Sequence, residues 1–351
     1  MNKKLYFLIS LLIAICLLIP ANTFGYAAIG STITRLIYHD ILAPPEPDWV
    51  RFGVVLDRSS RYDYDDKNIE SPIVLKNADG TYTMWYRGMN VTDDYGRVLR
   101  AVSDDGINWT KTGVVMIPTA SYEGSKIDPM TIMYEDGIYK MWYGGDSAGG
   151  CACYATSQDG IFWTRYAGNP VLKKTNGSWD NEGAGGQHCV IRTETGYTMI
   201  YKGYGDLAED WAFYGLATSS DGVHWEKKGK VIMPQPELGE TTLYRNLHFF
   251  KIGDTYCLFH TMAEHLTLFM LTSYDGIHWS KKGVIFNKGL TPGNWDVKWA
   301  TSPWILIEGD TVRMWYEGGN ENARVRTCYA EISLSELTSR FRIEILPESA
   351  Q

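Results

Sequence analysis

The chain has 351 residues, of which 44% are hydrophobic, and this is enough to build a large core. Its formal net charge of −8 argues against a nucleic-acid-binding protein, because such proteins present a basic surface. The sequence contains no run of like charge that would indicate a charged tail or a membrane-binding patch.

The first 27 residues have the pattern of an export signal. A basic start precedes the apolar run Leu5–Ile19, and small residues suited to cleavage end at Ala27. Because the run is shorter than the ~20 residues of a membrane span, we predict a signal peptide over residues 1–27 and a secreted or cell-surface protein. An uncleaved N-terminal anchor is the alternative. Residues 28–48, which contain three prolines, are predicted to be a linker.

The rest of the chain is a repeat. Five hydrophobic strand patterns, most of them close to Tyr-x-Met-Trp-Tyr-x-Gly, recur at intervals of 57, 58, 59 and 56 residues. Their central residues are Trp85, Trp142, Ile200, Phe259 and Trp315. The motif Ser-x-Asp-Gly-x-x-Trp follows the first four, beginning at Ser103, Ser157, Ser219 and Ser273. A repeat of this length, with several strand signals per unit, predicts a β-propeller.

Each repeat contains four strand patterns, separated by turn residues such as Asp136-Gly137, because Asp-Gly adopts the positive φ angles of tight hairpins. The fifth repeat lacks a fourth strand. The segment Trp49–Leu56 matches the fourth strands of other repeats, so we predict that it completes the last blade and closes the ring. The sequence therefore predicts an all-β fold, a five-bladed β-propeller over residues 49–333, and a C-terminal tail over residues 334–351.

The cysteines favour neither a disulfide framework nor a zinc site. Cleavage of the signal would leave an odd number, without Cys-x-x-Cys spacing, and each falls in a predicted strand. We interpret them as small buried side chains, and we predict neither a metal site nor a cofactor. The five residues are Cys151, Cys153, Cys189, Cys257 and Cys328.

These repeats resemble the five-bladed propellers of glycoside hydrolase families 43, 32, 62, 117 and 130. The segments Tyr154–Gly160 and Gly215–Gly222 carry the resemblance best. It covers roughly residues 49–333 and is more specific for the fold than for an activity, because the matching motifs are structural. It implies cleavage of glycosidic bonds at one mouth of the central channel, with no family assignable within the group.

Charged departures from the repeat are the candidates for this site. Alignment of the five innermost strands places Ser71, Asp128, Gly186, Arg245 and Ser302 at one position. Two blades use Ser there, so Asp128 and Arg245 depart from the pattern. Four loops upstream repeat an aromatic residue followed by an acid, which indicates a structural device. These loops contain Tyr64-Asp65, Tyr122-Glu123, Trp179-Asp180 and Trp295-Asp296.

Glycoside cleavage requires a carboxylic acid and a second carboxylate that acts as base or nucleophile. The resemblance implies a third carboxylate that orients the acid, and Asp128, followed by Pro129, looks like that element. Glu182 is the candidate acid, and Glu70 lies where the first-blade base or nucleophile would fall. Two departures weaken the match. The related families generally place Asp in the first blade, and Glu70 stands one residue from the aligned position. Glu182 aligns with lysines in sister loops.

Basic and aromatic residues predict substrate contacts near the same mouth. A cluster of donors could hold phosphate, a uronic acid or a sulfated sugar, and tryptophan rings pack against the C–H faces of sugars. The predicted substrate-binding residues are Arg245, His188, Asn246, His248, Lys298, Trp299 and Trp304.

Several functions remain open on the sequence. The first is an exported glycoside hydrolase that uses Asp128, Glu182 and Glu70. The others are a glycan-binding propeller without catalysis, a glycoside phosphorylase that holds phosphate with basic residues, and a structural surface module. We expect an oligo- or polysaccharide as partner, a monomer, no nucleic acid, and no membrane contact beyond an uncleaved N-terminal anchor.

Overall fold

The computed structural model describes residues 46–60, 63–205, 212–233, 247–262, 267–289, 295–320 and 324–343. They form five four-stranded antiparallel sheets, the blades of a β-propeller, which confirms the predicted fold. The predicted signal peptide and nearly all of the predicted linker lie outside the described residues. No helix in the described part of the chain is both long and apolar enough to cross a membrane.

Four blades use consecutive strands, and the first strand of each blade packs against its counterparts around the channel. Blade 1 contains β2 (Asn68–Lys76), β3 (Tyr82–Met89), β4 (Gly96–Ser103) and β5 (Thr110–Met116). Blade 2 contains β6 (Ile127–Glu135), β7 (Ile138–Gly145), β8 (Cys151–Ser157) and β9 (Thr164–Arg165). Blade 3 contains β10 (Gly183–Thr193), β11 (Gly196–Tyr204), β12 (Ala212–Ser219) and β13 (Glu226–Ile232). Blade 4 contains β14 (His248–Ile252), β15 (Thr255–Met262), β16 (Thr267–Ser273) and β17 (Ser280–Phe286).

Blade 5 is completed from the other end of the chain. Its order is β18 (Trp299–Glu308), β19 (Thr311–Gly319), β20 (Val325–Ser333) and β1 (Val50–Leu56). Strand β1 pairs antiparallel with β20, so the ring is closed as the sequence predicts. A helix, α1 (Leu334–Phe341), begins the C-terminal segment and buries Leu337 and Phe341 against the core beside blade 5. Two short 3-10 helices, Ser121–Glu123 and Ser147–Gly149, lie in loops of blade 2.

The repeated Ser-x-Asp-Gly-x-x-Trp motifs form tight turns between the third and fourth strands. In the first, Asp105 accepts the N–H groups of Ile107 and Asn108, each at 2.8 Å, and Ser103 Oγ accepts the Gly106 N–H at 2.9 Å. The Gly106 φ angle is 79°, a value that favours glycine. The same bonds recur in the turns at Asp159, Asp221 and Asp275.

These turns also join neighbouring blades. The indole N–H of a second-strand tryptophan donates to the glycine carbonyl of the next blade's turn, and we call this contact a tryptophan latch. The three latches are Trp315 to Gly106 at 2.8 Å, Trp85 to Gly160 at 2.8 Å, and Trp142 to Gly222 at 2.7 Å. At the equivalent positions, blades 3 and 4 carry Ile200 and Phe259.

The four aromatic-plus-acid loops have the structural role that their repetition indicates. In each, the buried carboxylate accepts a hydrogen bond from the second-strand tyrosine and pairs with a basic side chain of the outermost strand. Asp65, for example, lies 2.9 Å from the Tyr86 hydroxyl and 2.6 Å from Lys111 Nζ. The other three sets are Glu123 with Tyr143 and Arg165, Asp180 with Tyr201 and Lys227, and Asp296 with Tyr316 and Arg51.

The five cysteines in the described strands are buried free thiols, as their interpretation as small core residues requires.

Candidate active site

A cavity of about 780 Å³ opens where the innermost strands begin. Blades 1, 2, 3 and 5 supply its walls, and much of its lining is charged. Two of the three predicted carboxylates, Glu70 and Asp128, line it. The cavity therefore lies at the channel mouth where the sequence places a site.

Arg87 connects these two carboxylates. Glu70 on β2 lies opposite Arg87 on β3, and Arg87 Nη2 donates to Glu70 Oε2. Arg87 Nη1 lies 2.5 Å from Asp128 Oδ2, on β6 of the next blade. Burial lowers the pKa of Arg87, but the charges of Asp128 and Glu70 more than offset this and raise it. One guanidinium thus fixes two acids from neighbouring blades, and charge-assisted bonds of this kind are strong and directional.

A third carboxyl group, Glu317, joins the cluster from blade 5. It lies on β19 and is 8% exposed. Its Oε1 accepts the Ser71 N–H at 2.7 Å, and its Oε2 lies 3.0 Å from the Thr301 hydroxyl. Burial and then the charge of Glu70 raise the pKa of Glu317 to about 7. A carboxyl group of this kind can hold or release a proton near neutral pH.

The strand pairing corrects the predicted position of Glu70. Glu70 faces Arg87, Asp128 faces Gly144 and Thr301 faces Glu317, and each pair lies at the same place in its blade. Glu70 and Asp128 are therefore equivalent, not one residue apart. The offset comes from the hairpins, because five residues lie between the paired Lys76 and Tyr82, whereas four lie between the equivalent pair, Tyr134 and Tyr139. An alignment anchored on the second strand shifts the first blade by one residue.

Glu182, the candidate acid, is exposed and stands immediately before β10. It lies outside the cavity lining, although its backbone N–H donates to the Tyr204 carbonyl at 3.1 Å. Burial, followed by the charges of Asp146 and Glu182, raises the pKa of Tyr204, whose side chain lines the cavity. Glu182 is thus a neighbour of the lining, and Glu70 and Asp128 are part of it.

Three predicted contact residues pack inside the protein instead of facing the cavity. His188 and His248 are buried, and desolvation lowers their pKa values to about 4 and about 3. Trp304 donates to the Val74 carbonyl at 2.7 Å, and its ring centroid lies 4.4 Å from that of His248. These side chains therefore belong to blade packing. Arg245 and Asn246 lie outside the described residues.

The remaining two predicted contact residues, Trp299 and Lys298, lie in different environments. Trp299 is half-buried and lines the cavity. Its ring lies against Gly319, where a Cβ atom would stand 1.9 Å from the indole, so only glycine leaves room for it. Lys298 is exposed, with its Nζ 5.4 Å from the Trp299 ring centroid. Trp299 is thus an aromatic side chain of the cavity lining, as Tyr204 is on blade 3.

Sequence reasoning missed Arg87, Glu317 and a further lining residue, Lys202. All three occupy the position between Tyr and Gly in the repeated second-strand motif. Blade 2 has Gly144 at that position. The signal was available in the sequence, because this position varies between blades and is charged in three of them, while the Tyr and Gly beside it repeat.

Lysines and an aspartate line the blade 1 and blade 2 side of the cavity. Lys67 pairs with Asp94, and Lys126 Nζ lies 3.4 Å from the same carboxylate. Lys202 and Tyr204 lie on blade 3. Within the described residues, no group of three or more His, Cys, Asp or Glu side chains is arranged to hold a metal ion.

Comparison with known proteins supports the same superfamily. The family model described as glycosyl hydrolases family 32 N-terminal domain matches residues 66–184. An uncharacterized protein of Mycobacterium tuberculosis is 31% identical over 168 residues, which are 46% of this chain and 54% of that protein. The chain thus spans about half the length of this first relative.

Two phosphorylases are also similar. A 1,2-β-oligomannan phosphorylase of Thermoanaerobacter is 28% identical over 228 residues, covering 61% of this chain and 68% of that protein. The solved β-1,2-mannobiose phosphorylase of Listeria innocua, in complex with β-1,2-mannobiose, superposes with a TM-score of 0.64 at 12% identity. It covers 85% of this chain and all of that one. The chain has the fold of the five-bladed propeller glycosidase and phosphorylase superfamily.

Proposed function

We propose that this protein is a carbohydrate-active enzyme that hydrolyses a glycosidic bond in the cavity. The observation that carries the proposal is the pair of carboxylates, Glu70 and Asp128, which Arg87 holds together at the channel mouth. The fold alone does not decide the activity. Glycoside hydrolysis requires two carboxyl groups, one on either side of the scissile bond. The pair supplies one of them, Glu70, together with an orienting carboxylate, Asp128, and Glu182 is the proposed second.

Roles for the three predicted carboxylates follow from their surroundings. Glu70 is the proposed base or nucleophile, because two donors, Arg87 and Asn68 (2.9 Å), fix its orientation. Asp128 is the proposed orienting carboxylate, shared through the same guanidinium. Glu182 is the proposed acid, and a substrate that extends over Tyr204 would bring it to the leaving group. The face of Trp299 would pack against a sugar ring.

Phosphorolysis is the second candidate. Three lysines, Lys67, Lys126 and Lys202, line the cavity together with Arg87, and basic side chains bind phosphate well. The similarity to two phosphorylases points in the same direction. Hydrolysis ranks first because we also propose, from the pattern of residues 1–27, that the protein is exported. Outside the cell, the sugar phosphates that phosphorolysis produces would be lost. Detection of the protein only inside cells after fractionation would contradict export.

The decisive experiment is turnover on a broad panel of oligo- and polysaccharides, with and without inorganic phosphate. We expect Asp128→Asn to abolish turnover and Glu70→Gln to reduce it at least 100-fold. Asp104→Asn, a change of the same chemistry at an exposed position, is the matched control and should behave as the wild type. Strict phosphate dependence would replace hydrolysis by phosphorolysis. Glycan binding without turnover would leave a binding propeller.

A further inference from the structure

We propose that Glu317 is a positioning residue for Glu70: from the neighbouring blade it holds the peptide that follows Glu70 and so fixes how that carboxylate meets the substrate. The inference rests on the proposed function, because it assigns Glu70 a role in the reaction. It adds a carboxyl group of blade 5 to the acids that Arg87 joins between blades 1 and 2.

The first observation is the backbone that Glu317 contacts. Ser71 directly follows Glu70 and has a φ angle of 52°, a value that residues other than glycine rarely adopt. Its N–H donates to Glu317 Oε1 at 2.7 Å. The other carboxyl oxygen of Glu317 bonds to Thr301 on β18. One side chain therefore ties the peptide directly after Glu70 on β2 to the start of β18.

The second observation is the set of groups that face Glu317. Glu70 approaches from β2 and Arg87 from β3, whereas Thr301 and Ser302 of β18 offer only hydroxyl groups. Thr327, opposite on β20, carries no charge. Arg87 thus serves three acids, because Glu70 and Asp128 bind it directly and Glu317 acts on it through its charge. A cluster with one cation and three acids favours retention of one proton.

Glu317 is the acid on which this proton would reside. Glu70 and Asp128 each make a direct ion pair with Arg87, whereas Glu317 accepts hydrogen bonds from two neutral groups, the Ser71 N–H of blade 1 and the Thr301 hydroxyl of its own blade. When protonated, Glu317 can donate to the Thr301 hydroxyl and leaves Arg87 to the other two acids. When Glu317 ionises, it competes for the Arg87 guanidinium, and the ion pair between Arg87 and Glu70 weakens. The position of Glu70 then depends on pH near neutrality.

A first test needs no substrate. Carboxyl titration of the full chain, followed by infrared difference spectroscopy, should show a group that titrates near pH 7 and disappears in Glu317→Gln. The same group should titrate at lower pH in Glu70→Gln, because the charge of Glu70 is removed. Glu308→Gln, which removes a blade 5 carboxylate paired outside the cavity with Lys76, is the control and should keep the group. A titration unchanged in both Glu317→Gln and Glu70→Gln would overturn the proposal.

A second test uses any glycan that the wild-type protein cleaves. Glu317→Ala should lower kcat about 10- to 100-fold with KM within about twofold, since small displacements of a reacting group are costly. Glu317→Gln, which keeps an acceptor for Ser71, should restore most of kcat and lose the pH dependence near 7. Wild-type kcat and pH profile in both variants would reject a positioning role. If the wild type cleaves no glycan, the proposed function fails, and the carboxyl titration still decides whether Glu317 and Glu70 are coupled.

Discussion

Blades 5, 1 and 2 are joined to the next blade differently from blades 3 and 4. Each of the first three sends a tryptophan to the glycine carbonyl of the next turn. In the turn that follows blade 3, a Cβ atom on Gly276 would meet only Tyr256, at 3.9 Å. In the turn that follows blade 2, a Cβ atom on Gly222 would stand 2.8 Å from Trp142. The latched side is therefore packed more closely at these junctions.

The cluster of acids around Arg87 lies on the latched side, whereas Glu182, the proposed acid, stands immediately before β10 of blade 3. Glu317 comes from blade 5, Glu70 and Arg87 come from blade 1, and Asp128 comes from blade 2. Among the described residues, blade 4 contributes nothing to the cavity lining. Reacting groups must be held to within a fraction of an ångström, and the latches fix the blades that carry them. The difference between the two sides predicts that matched changes cost more in blades 5, 1 and 2.

The largest difference should come from the second-strand position that faces the channel. Arg87→Met removes the cation between Glu70 and Asp128 and should lower the free energy of unfolding by about 3–5 kcal/mol. Lys202→Met, at the equivalent position of blade 3, affects a half-buried side chain and should cost less than about 1 kcal/mol. Denaturant unfolding of both variants measures the two losses. Equal losses would show that Arg87 has no special part in the cluster.

The next largest effect is a dependence of the free energy of unfolding on pH, which Glu317 on the latched side should cause. Its pKa is raised from 4.5 to about 7 by burial and the charge of Glu70, so between these values the folded chain binds a proton that the unfolded chain does not. Stability should therefore fall as pH rises from about 4.5 to 7, by on the order of 3 kcal/mol. Glu317→Gln should remove that slope. Parallel stability curves for the two proteins across this range would contradict the raised pKa.

The fold could be predicted from the sequence because each of the five copies of one pattern predicts the same strands and turns in the same order. Asp128 was identified as a charged residue in an alignment with Ser71 and Ser302, although the strand pairing makes Glu70 and Thr301 its equivalents. Arg87 and Glu317 are charged too, but on a strand whose Trp and Tyr neighbours are buried, and only the pairing shows that this position faces the channel. An irregularity in the strand pairing directly precedes His188 and Trp304, which both pack inward, whereas His248 packs inward at the start of a regularly paired strand.

These irregularities limit how well the sequence predicts which way a side chain faces. The register shifts between Glu70 and Ile73 and between Thr301 and Trp304, and each shift changes which face a side chain occupies. Between equivalent pairs, the blade 1 hairpin has five residues and the blade 2 hairpin has four, and this difference moved Glu70 by one position in the alignment. Neither a bulge nor the number of pairs in a hairpin can be read from the periodicity alone, so the strands could be predicted and the facing of their first residues could not.

A smaller effect should separate two turns that share one motif. Gly222 and Gly276 have φ angles of 83° and 74°, so Gly222→Ala and Gly276→Ala both introduce strain of about 1–2 kcal/mol. Only Gly222→Ala also pushes a methyl group against Trp142, and overpacking of this kind adds about 1–3 kcal/mol. We therefore expect Gly222→Ala to lower the unfolding midpoint more than Gly276→Ala does. A Gly276 variant as destabilised as the Gly222 variant would mean that the unlatched junction is equally tight.

The smallest effect should come from opening one latch while keeping an aromatic ring. Trp142→Phe deletes the bond to the Gly222 carbonyl, but Trp225 still donates to that oxygen at 3.0 Å, so the acceptor keeps a partner and the loss should be about 1–2 kcal/mol. Phe259 occupies the same position in blade 4, which shows that the fold accepts phenylalanine there. Trp225→Phe, which removes the other bond to the same carbonyl from a half-buried ring, is the control and should cost no more. An unchanged unfolding midpoint for Trp142→Phe would mean that the latch bond contributes no stability, and that packing around the indole alone distinguishes the two sides.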